Sequence, residues 1–177
     1  MSGDSRRVHL KGLSMRSQRI GSGTDLTAHA TMTFRGISLA CPYFIPREMV
    51  QDGAWPHPSR LPLGAGWNGV CGASAAEAVP ADNHIREFCN LGYAAGCPQL
   101  PAERDWDAVR FSVAGLSEAE ITLHYACERD HAPVAHGKLI YELPGGNSRE
   151  PHPDRRVARL ADGYVRAYRA RTGSASI

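Results

Sequence analysis

Five cysteines are the residues of this chain with the clearest capacity for chemistry. They follow one another in the order Cys41-x29-Cys71-x17-Cys89-x7-Cys97-x29-Cys127. Cysteines as thiolates bind zinc or iron–sulfur clusters, cysteines in pairs form disulfides, and neutral thiols pack in hydrophobic cores. Because the count is odd, the cysteines cannot all pair in internal disulfides. Metal binding and packing are the uses that remain to be compared.

The sequence around the first four cysteines favours metal binding. Cys41, Cys71 and Cys97 lie in ACPY, GVCGA and AGCPQ, which are glycine- or proline-containing segments typical of loops and turns. Such segments leave backbone N–H groups free to point at a sulfur ligand. Cys89 falls on the apolar face of a predicted helix at 82–93, and Cys97 follows just beyond its end. Both thiols can therefore converge on one point.

Two of these cysteines are followed directly by proline, in Cys41-Pro42 and Cys97-Pro98. They resemble the Cys-Pro ligand that closes the bacterial ferredoxin motif, although the tight C-x2-C-x2-C run of ferredoxins is absent. Residues 41 to 98 thus resemble uncharacterised bacterial small proteins that hold one [4Fe–4S] cluster with four scattered cysteines. The resemblance implies an iron–sulfur cluster, serving electron transfer or structural support, with the ligands Cys41, Cys71, Cys89 and Cys97.

Other interpretations of the cysteines stay open. A structural zinc in an interaction module is one of them, although zinc sites usually contain a C-x2–4-C pair and this chain has none. Incidental buried thiols are another. Cys127 continues the apolar face of a predicted strand with Ile121, Leu123 and Tyr125, which indicates packing. The alternative is that Cys127 replaces one of the four ligands.

An enzymatic alternative rests on HYACERDHAPVAH, a segment with histidines and carboxylates close in sequence. His131 and His136, together with Glu128 and Asp130, could bind a metal or serve in acid–base chemistry if the segment forms a loop. A charged, solvated loop is the simpler interpretation, since no nucleophile motif accompanies these residues.

Composition narrows the class of protein. The chain has 177 residues, 42% of them hydrophobic and 21% charged, which is typical of one globular domain with a real core. A net charge of +2 gives no reason to expect nucleic acid as a partner. No apolar run reaches the length of about 18 residues that a membrane helix needs. SRRVHLK, at 5 to 11, resembles a twin-arginine export motif, but no apolar stretch follows it, so we predict a cytoplasmic protein.

The pattern along the chain predicts an α+β fold. Residues 1 to 28 are basic and poor in large apolar side chains, so they are predicted to form a flexible tail before a single domain at 29–177. Residues 29 to 39 give a weak strand pattern. Residues 41 to 73 contain many prolines and glycines together with aromatic residues, which predicts a long ordered loop that something must hold.

Alternating apolar residues then predict a small antiparallel sheet, with strands at 109–113, 120–127 and 139–143. A last helix at 154–173 carries an apolar stripe on one face. The opposite face carries arginines that could dock an acidic redox partner protein, namely Arg155, Arg159, Arg166 and Arg169.

Overall fold

The computed structural model describes residues 39–51 and 53–173, and within them the predicted combination of antiparallel sheet and helices is present. The elements in chain order are β1 (Phe44–Met49), β2 (Trp67–Cys71), α1 (Asp82–His84), a π-helical turn (Ile85–Asn90), β3 (Ala108–Leu116), β4 (Glu120–Arg129), β5 (Ala132–Glu142), β6 (Asn147–Ser148) and α2 (Arg155–Gly173). Short 3-10 turns occur at Pro58–Arg60 and Ala94–Gly96. The predicted tail at 1–28 and most of the predicted strand at 29–39 lie outside the described residues.

The three strands predicted by alternation, together with the short β6, form the larger sheet; its order is β3-β4-β5-β6 with all neighbours antiparallel. Ile121, Leu123 and Cys127 alternate along β4, and all three are buried, as predicted. β4 and β5 run longer than expected, because a turn of only two residues joins them. Asp130 and His131 form that turn in the left-handed region, with φ of 50° and 64°.

A second, two-stranded sheet lies inside the segment that was expected to be an irregular loop. β1 pairs with β2 in antiparallel fashion, from Phe44 opposite Cys71 to Met49 opposite Trp67. The register shifts between Pro46 and Glu48, where proline lacks the N–H that a regular ladder needs. The expectation for 41–73 therefore needs correction, since 44–49 and 67–71 form strands; the longest irregular stretch that remains is the one between them, interrupted by the 3-10 turn at Pro58–Arg60.

Those irregular residues are held largely by their own packing. Leu61, Leu63 and Ala65 are buried, so this part of the chain contributes to the core. The indole of Trp55 lies against Gly66, where a Cβ atom would stand only 2.1 Å from its Nε1, and the guanidinium of Arg86 lies 4.5 Å from the ring centroid of Trp55. Glycine at 66 is thus required by the close approach of an aromatic ring.

The last helix joins the two sheets into one core. Its buried residues are Val157, Leu160, Ala161, Gly163, Val165 and Ala167. α2 crosses β1 closely at Gly163, where an added Cβ would be 2.9 Å from Cγ of Pro46. On the side of the larger sheet, the hydroxyl of Tyr141 donates a hydrogen bond of 2.8 Å to Asp162. At its N-terminus, Asp154 accepts from the backbone N–H of Arg156 at 2.7 Å.

The helix predicted at 82–93 begins at Asp82 and ends at Asn90, three residues early. Most of it is a π-helical turn, a rare form that often marks functional sites. Within the described ranges, no helix is both long enough and apolar enough to cross a membrane.

Candidate metal centre

The fold brings the loops that carry the first four cysteines towards one another. Cys41 follows Ala40, whose backbone exchanges hydrogen bonds of 2.7 and 2.9 Å with Val109 of β3. Cys71 is the last residue of β2, and the N–H of Gly72 donates to the carbonyl of Tyr43 at 2.8 Å. The two short strands therefore place the Cys41 loop beside the end of β2.

The remaining two cysteines come from the helical segment and the turn beyond it. Cys89 lies in the π-helical turn and is 8% exposed. Cys97 follows the 3-10 turn Ala94–Gly96 and is half-buried. Between them, Gly92 has a φ of 82° and passes so close to the carbonyl of Leu39 that a Cβ atom would lie 2.4 Å from its oxygen. This contact holds the segment 91–97 against the chain just before Cys41.

Two of the four thiols, those of Cys41 and Cys89, have pKa values that the other cysteines help to raise. The pKa of Cys89 is raised to about 12, mainly by burial and in smaller part by the charges of Cys41, Cys71 and Cys97. Burial likewise raises the pKa of Cys41 to about 12, with smaller contributions from Cys71 and Cys97. Cys41 and Cys89 thus both feel the charges of Cys71 and Cys97.

Backbone donors also converge on Cys41. Backbone hydrogen bonding by Tyr43 and Phe44 lowers the pKa of Cys41 against the larger effect of burial, and the N–H of Phe44 also donates to the carbonyl of Cys41 at 3.2 Å. Pro42, between Cys41 and Tyr43, has no N–H to donate. Backbone N–H groups aimed at sulfur stabilise the thiolate of a metal ligand and tune the potential of an iron–sulfur cluster.

Cys127 has different neighbours. It is 1% exposed on β4, opposite Ala135 of β5, where it packs in the core between the sheet and α2. Burial raises its pKa to about 11, and the charges that act on it are those of Asp154, which raises the pKa, and Arg156, which lowers it. The position on the buried face of the strand agrees with the prediction of a packing role.

Asn90 is a buried residue that sequence reasoning missed. Its side-chain Oδ1 accepts from the N–H of Trp67 at 2.8 Å, and its Nδ2 donates to the carbonyls of Trp67 at 2.9 Å and Ile85 at 3.0 Å. The amide pairs with both backbone groups of Trp67, as a neighbouring strand would. It therefore ties the residue after Cys89 to the strand that ends in Cys71. No local signal reveals this, since an asparagine near a helix end is an ordinary cap in sequence.

The four thiols do not meet at a single point. Within residues 39–51 and 53–173, no group of three or more His, Cys, Asp and Glu side chains is placed to hold one metal ion. A [4Fe–4S] cluster makes a different demand, because each of its four thiolates binds a separate iron. All five cysteines are described, and each thiol is free. Thiols are the kind of donor that such a cluster takes, but the described residues do not group these four around one point.

The histidine segment does not form a loop. His131 lies in the two-residue turn, and His136 lies in β5 opposite Ala126. Glu128 is buried and forms an ion pair with Arg110. The N–H of Asp130 donates to Asp107 at 2.8 Å, a hydrogen bond that is the main reason for the lowered pKa of Asp107. The charged groups around the turn are thus engaged in holding the hairpin.

Comparison with known proteins gives no relative from which a role could be transferred: no protein family, no curated protein and no solved structure matches this chain.

Proposed function

We propose that the chain is a small iron–sulfur protein that binds one [4Fe–4S] cluster through the thiolates of Cys41, Cys71, Cys89 and Cys97. The proposal is supported by the backbone hydrogen bonds that hold the Cys41 loop beside the end of β2, and by the charges of Cys41, Cys71 and Cys97, which contribute to the raised pKa of Cys89. Four cysteine ligands would cap all four irons, so no iron would have a free position for substrate. The proposed role is therefore electron transfer, or structural support, rather than Lewis-acid catalysis.

The protein would supply the negatively charged thiolates and the backbone N–H groups that stabilise them. Ligand thiols must lose their protons on binding, and burial opposes this loss at Cys41 and Cys89 in the absence of metal. The N–H groups of Tyr43 and Phe44 would then donate to a thiolate rather than to a thiol, which strengthens both hydrogen bonds. When bound, the cluster supplies a one-electron redox couple.

The proposal includes a cytoplasmic location and an acidic redox partner. A reducing compartment keeps free thiols available as ligands, which suits a chain with five free cysteines. Arg155 and Arg159, on α2, offer positive charge to a partner.

Single cysteine substitutions test the ligand assignment. Cys71→Ala and Cys97→Ala remove half-buried thiols, so they should lose the cluster with little damage to the core. Cys127→Ala is the matched control: it should keep iron and colour and cost about 1 kcal/mol or more in packing. The measurement is iron content and visible absorbance after anaerobic purification. Bleaching by Cys127→Ala, with retention of iron by Cys71→Ala, would contradict the assignment.

A further inference from the structure

A cavity of about 280 Å³ lies at the outer edge of β5, and none of the five cysteines lines it. β6 covers this edge only at Tyr141 and Glu142, and the segment 149–153 runs beside the strand where the cavity lies. Leu139 and Ile140 of β5 form apolar walls together with two prolines of that segment. Small-molecule sites commonly combine such walls with a few polar groups that converge on one space.

The segment 149–153 is tied to the sheet at both ends, so the cavity is formed before any ligand binds. At one end, the N–H of Arg149 donates to the carbonyl of Ile140 at 2.8 Å. At the other end, Nε2 of His152 lies 3.0 Å from the hydroxyl oxygen of Tyr125, and the two rings meet edge to face. A preformed site loses less free energy to ordering when a ligand binds.

The contacts of His152 determine which way the hydroxyl of Tyr125 donates. The N–H of Asp154 donates to Nδ1 of His152 at 3.0 Å, and it is nearer than the carbonyl of Asp154, at 3.3 Å. Nδ1 therefore acts as an acceptor, and the proton of the neutral ring is on Nε2, which donates to the oxygen of Tyr125. Burial raises the pKa of Tyr125, so the hydroxyl keeps its own hydrogen and can donate it to a ligand in the cavity.

Gly137 allows the ring of Tyr125 to take this position. It lies directly opposite Tyr125 in the ladder between β4 and β5. An added Cβ atom would stand 2.8 Å from the hydroxyl oxygen and 2.9 Å from Cε1 of the ring. A side chain at this position would therefore displace the ring from its place beside His152.

Two unpaired charges of opposite sign line the same cavity. Lys138 and Glu150 are both exposed, and they form no ion pair with each other or with any other residue in the described part of the chain. Arg149 differs, because Glu120 at 2.8 Å and Glu142 at 3.6 Å already offset its charge. A cation and an anion that line one cavity without pairing suit a ligand that carries both charges.

We propose that this cavity binds a free α-amino acid with an apolar side chain. The carboxylate of the ligand accepts from Lys138 and from the hydroxyl of Tyr125, and its ammonium group donates to Glu150. Its side chain lies against the apolar walls. The volume is near the lower end of the range of about 300–1,000 Å³ that is usual for ligand pockets, which favours a small ligand. The site is independent of the proposed cluster, because no cysteine takes part in it.

Titration of the full chain with L-leucine, L-valine and L-methionine, followed by ¹H–¹⁵N NMR, tests the site. Because Lys138 and Glu150 are exposed, we expect a dissociation constant on the order of 1 mM for at least one of the three. The shifts should centre on the amides of residues 138–140 and 149–152. The absence of a saturable shift there with all three amino acids would refute the proposal.

Two analogues of leucine separate the two charges, since 4-methylpentanoate lacks the ammonium group and leucine methyl ester lacks the carboxylate. Glu150→Gln should weaken the binding of leucine on the order of threefold to tenfold and leave that of 4-methylpentanoate unchanged. Lys138→Met should weaken leucine by a similar factor and leave the methyl ester unchanged. The matched control is Glu118→Gln, an equal change of charge at an exposed residue outside the cavity, which should affect no ligand.

Tyr125→Phe should weaken leucine and 4-methylpentanoate alike, because both present a carboxylate to the hydroxyl. Gly137→Ala should have the same effect by displacing that hydroxyl, and a dispersed NMR spectrum shows that each variant is folded. Equal weakening of leucine and 4-methylpentanoate by Glu150→Gln would refute the contact between the ammonium group and Glu150. Affinities that change with none of these substitutions would refute the site, whether or not the protein binds a cluster.

Discussion

Replacing Asn90 with aspartate tests whether this buried amide positions the candidate centre. Asn90→Asp keeps the shape of the side chain and the acceptor for the N–H of Trp67, but it removes the donor to the carbonyls of Trp67 and Ile85. Trp67 is 0% exposed, so water has little access to its carbonyl. Leaving a buried polar group unpaired costs about 1–3 kcal/mol, so two unpaired carbonyls should lower the free energy of unfolding by roughly 2–5 kcal/mol at pH 7.

The loss should depend on pH in a defined direction. Burial and the facing carbonyl oxygens raise the pKa of the introduced carboxyl above its ordinary value, and the protonated form can donate to one carbonyl. The variant therefore gains stability, relative to the wild type, as pH falls from 7 towards 5. Urea unfolding of the metal-free protein, followed by circular dichroism at both pH values, measures the free energies.

Asn68→Asp provides the matched control, because Asn68 is the next residue of β2 and is exposed. It should change the free energy of unfolding by less than about 0.5 kcal/mol. In protein loaded with iron and sulfide, Asn90→Asp should also release iron to a chelator faster than Asn68→Asp, since Asn90 ties the residue after Cys89 to the strand of Cys71. Equal effects of the two substitutions on stability and on iron release would refute the positioning role.

Two further outcomes follow from the same structure. The metal-free protein should lose stability as pH rises from 9 towards 12, because unfolded thiols ionise near pH 9 while burial holds the folded pKa of Cys41 and Cys89 at about 12. The free energy of unfolding should fall by about 1 kcal/mol per thiol between pH 9 and pH 10, and Cys89→Ala should reduce this loss. Limited trypsin digestion should cut at the exposed Arg86 faster after removal of the metal, while the rate at Arg166 in α2 should not change. Peptide mapping by mass measures both rates. Equal rates at Arg86 in the two forms would mean that the Cys89 segment needs no metal to stay ordered.

Much of the larger sheet and the last helix could be predicted because their signals are local. The alternation of Ile121 and Leu123 along β4, and the stripe that contains Val157 and Leu160 along α2, each arise from one face of one element packing into the core. Hydrophobic periodicity in the sequence is the direct record of such packing.

The smaller sheet escaped prediction because its signal is not local. Pro46 and Gly69 interrupt the alternation of β1 and β2, and both have reasons that only the fold reveals. Pro46 sits beside the shift in register, and Gly69 leaves room for the ring of Phe44, which would lie 2.8 Å from an added Cβ. The pairing of Phe44 with Cys71 spans 27 residues of sequence, so it has no periodic trace.

The residues of the turn explain why the histidine segment forms a short hairpin and not the long connection that the sequence predicted. Two-residue hairpin turns usually contain glycine or asparagine, which tolerate positive φ at low cost. Here Asp130 and His131 adopt that conformation, supported by the hydrogen bond from the N–H of Asp130 to Asp107. Without a glycine as a marker, the sequence favoured a longer connection.

Part of the candidate centre could be predicted from the sequence. The glycine- and proline-containing segments around Cys41, Cys71 and Cys97 indicated loops with free backbone N–H groups, and the donors at Tyr43 and Phe44 agree with that. The segment between Cys41 and Cys71 was expected to need something else to hold it, but its own apolar residues pack into the core. The role of Asn90 depends on Trp67, 23 residues earlier, and could not be seen locally.

The most direct test of the iron–sulfur proposal is the metal and sulfide content of the protein itself. The full chain is purified without oxygen, and iron, acid-labile sulfide and zinc are measured per chain together with the visible spectrum. The proposal predicts a brown protein with about four iron and four sulfide per chain. A colourless protein with one zinc, or with no metal after reconstitution with iron and sulfide, would contradict it.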